Sequence, residues 1–172
     1  MNRRTTLTTM ALFYFTIALP AGDAAGQQKT LKDQLAGPWT YVSSEITLND
    51  GTKQPSVFGG ANVKGILILD AGGRYTDIEM RPDRPKFKAS ANFRVNTPAA
   101  EWGEAALAFA ANFGTWSVNE ADKTLIRRFE GALNPNNEGF ESKASISLAG
   151  DELKLVEPFR ANVLTEVLRR AK

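Results

Sequence analysis

Lys64-Gly65-Ile66-Leu67-Ile68-Leu69, Asp70-Ala71-Gly72-Gly73, Arg74-Tyr75-Thr76-Asp77-Ile78-Glu79-Met80 is the stretch whose reading decides the fold. The first piece is a short apolar run of strand length. The second holds aspartate and two glycines, the residues of tight turns. The third alternates apolar and polar residues, the period of a strand with one covered face. Together they predict an antiparallel hairpin. The alternation puts Thr76, Ile78 and Met80 inward and leaves Asp77 and Glu79 to water. The other reading of those two carboxylates is an acid/base pair near Glu45.

Working outward, the same grammar repeats. Thr40 to Leu48 is a β-rich run ended by Asn49-Asp50-Gly51, and Lys53 to Asn62, with Pro55, Gly59 and Gly60, reads as a loop. Downstream, Arg81-Pro82-Asp83-Arg84-Pro85 cannot continue a sheet, because two prolines remove backbone donors. Thr97-Pro98 then opens a predicted helix over Ala99 to Asn112, with Trp102, Ala106, Phe109 and Phe113 on one face. Strands are predicted at Thr115 to Val118, Lys123 to Leu133, Glu141 to Leu148, Glu152 to Val156 and Leu164 to Arg170. This makes eight strands, with one helix between the third and fourth. Short turns between near-regular strands predict an all-β, antiparallel up-and-down barrel in a single domain.

The N-terminus carries a different signal. Arg3 and Arg4 precede an apolar run from Met10 to Leu19, and small residues follow in Pro20-Ala21-Gly22-Asp23-Ala24-Ala25-Gly26. That order predicts a signal peptide over residues 1–26, cut after Ala24 or Gly26. Residues 27–172 would form the mature domain, secreted or periplasmic. Export through the general or the twin-arginine route, and an uncleaved anchor, all remain open at this point. The apolar run is too short to cross a bilayer, and no other run approaches the ~18 residues that crossing needs. No membrane span is expected after cleavage.

Several pieces together resemble the bacterial lipocalin-like domain proteins. They are Leu35-Ala36-Gly37-Pro38-Trp39, Gly65-Ile66-Leu67-Ile68, Gly73-Arg74-Tyr75, Met80 to Phe87, Phe113-Gly114-Thr115-Trp116-Ser117-Val118, Glu130-Gly131, Asn134-Pro135-Asn136, and Leu168 to Lys172. The resemblance implies an eight-stranded barrel with one helix and no set activity. This chain has Arg127 and Arg128 where family members often carry histidine, and Leu168 where many carry tryptophan. Gly37-x-Trp39 is similar to the signature that opens the first strand of lipocalins. The likeness implies that a basic residue of the last strand, Arg170 or else Arg169, lies over the indole and closes the barrel floor.

Composition removes whole classes of chemistry. The chain of 172 residues has no Cys and no His, so thiol and imidazole catalysis and their metal sites are absent. No metal and no cofactor is expected. With 21 basic and 19 acidic residues there is no electrostatic case for nucleic acid. The remaining candidates line a ligand cavity: Arg81 at the rim, Arg127 on an otherwise apolar strand face, and the aromatics Tyr75, Trp116 and Phe129. Arg81, Asp83 and Arg84 form either a grip for an anionic head group or a salt-bridged lock on their loop. Arg127, if interior, needs a partner or a ligand carboxylate.

Three functions fit: a non-catalytic exported carrier of a small apolar or amphipathic molecule, a lipocalin-type isomerase or cyclase, and a structural domain with a filled core. An interior arginine–carboxylate pair beside an open cavity favours the enzyme. An open apolar cavity without one favours the carrier, and no cavity favours the third.

Overall fold

The computed structural model describes residues 29–88 and 92–172. The predicted signal peptide, residues 1–26, lies outside the described residues. Nine strands form one antiparallel sheet: β1 (Gly37–Thr47), β2 (Lys53–Gly60), β3 (Lys64–Leu69), β4 (Arg74–Met80), β5 (Phe109–Asn119), β6 (Thr124–Ala132), β7 (Glu141–Ala149), β8 (Glu152–Phe159) and β9 (Asn162–Arg170). The helices are α1 (Leu31–Leu35), α2 (Phe93–Asn96) and α3 (Ala99–Leu107).

β1 closes the sheet. One of its sides pairs with β9 from Trp39 to Thr47. Its other side pairs with β3 through Gly37–Thr40 and with β2 through Ser44–Thr47. β2 and β3 therefore lie in tandem along β1, two halves of one position in the barrel, and the remaining strands run in sequence from β4 to β9. The result is a closed eight-position barrel with nine strand segments.

Two sequence expectations are corrected. Residues 53–62 are not all loop, because β2 runs from Lys53 to Gly60. Proline is tolerated there because the pairing shifts register between Ser44 and Glu45, and Ser56 to Gly59 bulge out of the ladder. The helix predicted over 99–112 forms only in its first part, it is joined by α1 and α2, and it lies between the fourth and fifth strands rather than the third and fourth. α3 stops at Leu107, and Phe109 to Asn112 begin β5 against β4, with Ala110 opposite Glu79 and Asn112 opposite Asp77. Alanine favours helix weakly, and a barrel edge in need of a partner overrides that preference.

The two ends differ. At one end α1 plugs the barrel. Thr30 and Asp33 form its capping box, and both oxygens of Glu120 accept its free N–H groups, from Leu31 and Lys32 at 3.1 Å each. Trp39 is fully buried beneath it and donates from Nε1 to the Leu35 carbonyl at 2.8 Å. The Arg170 guanidinium lies 3.9 Å from the centre of that indole and donates to the carbonyls of Ala36, at 2.8 Å, and Gln34. Gly37 holds φ +124°, and a Cβ there would sit 3.0 Å from Arg170 Nη1. Above this floor, Leu67, Leu69, Leu125, Leu153, Leu155 and Leu168 fill the barrel. The other end, where β4 leaves and β5 enters, is open.

Candidate functional site

The pleat sorts the side chains. On β9, Leu164, Glu166 and Leu168 face inward, and their partners on β1 are Ile46, Ser44 and Tyr41. On β4 the inward face carries Tyr75, Asp77 and Glu79, all buried. The expectation that Asp77 and Glu79 face water is therefore wrong. Thr76, Ile78 and Met80 point outward instead, and Met80 is covered in part by Arg84, whose Nη2 lies 3.3 Å from its sulfur. On β6 the inward face is Leu125, Arg127 and Phe129, with Arg127 only 3% exposed.

These strands meet in a polar layer above the leucines. All three nitrogens of Arg127 are engaged: Nη1 with Asp77 Oδ2 at 2.7 Å, Nη2 with Glu157 Oε2 at 3.0 Å, and Nε with Ser142 Oγ at 3.2 Å. Tyr41 donates to Asp77 Oδ1 at 2.7 Å. Gly65 makes room for this. A Cβ there would meet the Ile78 carbonyl and come within 2.7 Å of Tyr41 Cδ2. Glu79 bears on Glu166 and Ser44.

Four interior carboxyls thus face one interior cation. Burial raises the Asp77 carboxyl against the pull of Arg127 and the Tyr41 bond. Glu79 is pushed up to about 7, first by burial and then by the charge of Asp77. Glu166 is raised well above the usual carboxylate range by burial and by Glu79. Burial opposes the charge of Arg127, but Glu157 and Asp77 more than offset it. Burial and the neighbouring carboxylates also hold the Tyr41 hydroxyl neutral.

Two cavities open above and beside this layer. The first, about 450 Å³, lies at the mouth between Phe58, Leu107, Phe109, Asn112, Ala132 and Arg160. The second, about 580 Å³, is a side cleft between Phe129, Phe140, Glu157 and Phe159. The cleft has a structural cause. β7 and β8 pair only from Ser145–Val156 to Ala149–Glu152. Beyond that point β7 stays with β6 and β8 stays with β9. Pro158 suits such a seam, because it offers no N–H. Asn134, Asn137 and Arg160 line both cavities, so the two adjoin. Arg160 occupies the β8–β9 turn at φ +57°, with its guanidinium 5.8 Å from the Phe159 ring.

The predicted site residues separate into three places. Tyr75, Arg127 and Phe129 come together, with the rings of Tyr75 and Phe129 edge to face at 6.2 Å. Trp116 is buried toward the plugged end, where it donates to the Asp70 carbonyl at 2.8 Å and lies under Lys32. Arg81 is outside, in an exposed pair with Asp83 at 2.7 Å. Sequence reasoning missed Ser44, Ser142, Glu157, Glu166 and Arg160, and it raised Asp77 and Glu79 only as the alternative to a water-facing pair. Among the described residues no group of carboxylates is arranged to hold a metal ion.

Residues 36–168 match the lipocalin-like domain family, and the chain belongs to it. No curated protein matches. Among solved structures, a lipocalin-like protein from Bacteroides uniformis is 15% identical, with TM-score 0.43, over 80% of this chain and 98% of that one. A redesigned β-barrel is 11% identical, with TM-score 0.41, over 84% and 100%. The REP1-NXSQ fatty acid transporter is 13% identical, with TM-score 0.37, over 81% and 97%.

Proposed function

We propose that the protein is exported as residues 27–172 and holds a small amphipathic molecule at the open end of its barrel, without transforming it. The observation that carries this reading is the mouth cavity of about 450 Å³, walled by Phe58, Leu107 and Phe109. Its size and apolar walls suit one small ligand. Arg127 is interior, but its nitrogens are occupied, so it does not receive a ligand carboxylate. Arg81 is held by Asp83. An apolar fluorescent probe should bind saturably, one per chain, and Ala132→Phe, which fills the mouth, should abolish binding while preserving the fold. Binding unchanged in that variant would overturn the reading.

One observation favours an isomerase or cyclase. The Arg127–Asp77 pair is interior and adjoins the side cleft through Ser142 and Glu157. Glu79, near 7, has the value suited to a general acid or base at neutral pH. The carrier reading stands first because the Arg127 cluster is satisfied within itself and presents no free donor to a developing charge.

A further inference from the structure

Large apolar side chains that stay exposed gather at the open end. Leu107, 79% exposed, and Leu133 line the mouth cavity, while Phe140, 58% exposed, and Phe159 line the cleft beside it. Val95, 84% exposed, belongs to α2, in the connection that leaves β4 and returns to β5 at this same end. The plugged end has no counterpart. Among the described residues, neither α1 nor the turns at 70–73, 120–123 and 150–151 expose a large apolar side chain. Single exposed apolar residues are ordinary, but a cluster of them around an opening marks a contact surface.

The surroundings of the cluster say what it contacts. Its members come from four segments: α2, the last residue of α3, the two ends of the β6–β7 connection and the last residue of β8. They ring an opening instead of flooring a groove, which suits a fluid apolar medium better than the shaped side chains of a folded partner. Charge narrows the choice further. Residues 81–96, in the β4–β5 connection, hold five basic residues, Arg81, Arg84, Lys86, Lys88 and Arg94, against the single acid Asp83, which is held by Arg81. Lys86, Lys88 and Arg160 are exposed, and among the described residues no carboxylate pairs with them. Exposed apolar tips flanked by such cations complement a bilayer with anionic head groups. We propose that the open end docks on an anionic lipid bilayer, with Leu107, Leu133, Phe140 and Phe159 at the head-group boundary and Lys86, Lys88 and Arg160 against lipid phosphates. Docking requires no ligand in the barrel, and it seats the mouth directly on a source of amphipathic molecules.

The test is flotation of the exported protein with vesicles of phosphatidylcholine alone and of phosphatidylcholine mixed with phosphatidylglycerol, at low and high salt, beside sedimentation velocity without vesicles. The protein should sediment as a monomer and float with the anionic vesicles about tenfold or more tighter than with the neutral ones, and salt should shrink that preference. Leu107→Ser combined with Phe140→Ser should weaken flotation about tenfold, as should Lys86→Glu combined with Lys88→Glu. All four side chains are exposed, so neither variant should melt lower than the parent. Val42→Thr combined with Ile68→Thr, two exposed positions on strands away from the mouth, should float like the parent. No flotation with either vesicle would overturn the docking while leaving the mouth as a ligand site. Equal loss in the Val42 and Ile68 variant would overturn it as well, since the contact would then not be the open end. A dimer in sedimentation that Leu107→Ser and Phe140→Ser dissolve would assign this face to a second copy of the chain instead of a bilayer.

Discussion

At the scale of residues, two arginines carry the architecture and neither is free for a ligand. Arg127 neutralises Asp77 and Glu157 inside the barrel. Arg127→Leu would leave both carboxylates buried and unpaired, and should cost ~3–5 kcal/mol in a denaturant titration. A cost under ~1 kcal/mol would mean that the cluster is hydrated rather than paired. Arg170 lies over Trp39 and holds the carbonyls of α1. Trp39→Ala should cost ~3–5 kcal/mol as a large core truncation, and Arg170→Ala about 1–2 kcal/mol. Because the pair shares one contact, the double variant should cost less than the sum of the singles. Additive costs would show that the two do not support each other. The interior carboxyls were legible in part. Tyr75 read as pocket-lining requires Asp77 and Glu79 to point inward with it, since all three share one parity of β4. The greater hydrophobicity of Thr76, Ile78 and Met80 favoured the other face. That cue weighs only a single strand, whereas the burial of Asp77 is compensated by Arg127 of β6 and Tyr41 of β1. Arg160 gave no periodic signal, because it belongs to a turn.

At the scale of elements, the strands from β3 onward were legible because their alternation and turns are local. β2 was not, because its pairing depends on β1 and on a bulge that accommodates Pro55. The first residues of β5 were not, because a row of alanines carries helix propensity until β4 pairs with it. The seam between β7 and β8 depends on where a ladder stops, and only Pro158 hints at that. The seam makes a prediction. In β7, the amides of Glu141 to Ala144 that point away from β6 should exchange hydrogen faster than the amides of Ser145 to Ala149 that point toward β8, where the ladder is intact. Uniform protection along β7 would show that the barrel is zipped shut and the cleft is not an opening.

At the scale of the whole molecule, the barrel is apolar at its plugged end, acidic in its middle and open at its mouth. The acidic middle links stability to pH. The folded-state value of Glu79, about 7, lies above the ordinary carboxylate range. As pH rises from about 4.5 to 7, the unfolded chain has released a proton that the folded state still holds, so stability should fall across that window. The direction for Glu166 is the same. Tm should therefore be lower at pH 8 than at pH 5.5, and Glu79→Gln should flatten the difference. A parent protein that is more stable at pH 8 would contradict the burial of these carboxyls as neutral groups. The central claim, that the open end is the binding site, is tested most directly by amide chemical-shift mapping of the isotope-labelled protein during titration with the apolar probe. The account predicts saturable shifts centred on Ala110, Asn112, Ala132 and Arg160. Shifts confined to the plugged end around Trp39 and Trp116, or to the outer face around Ile68 and Phe113, would contradict it.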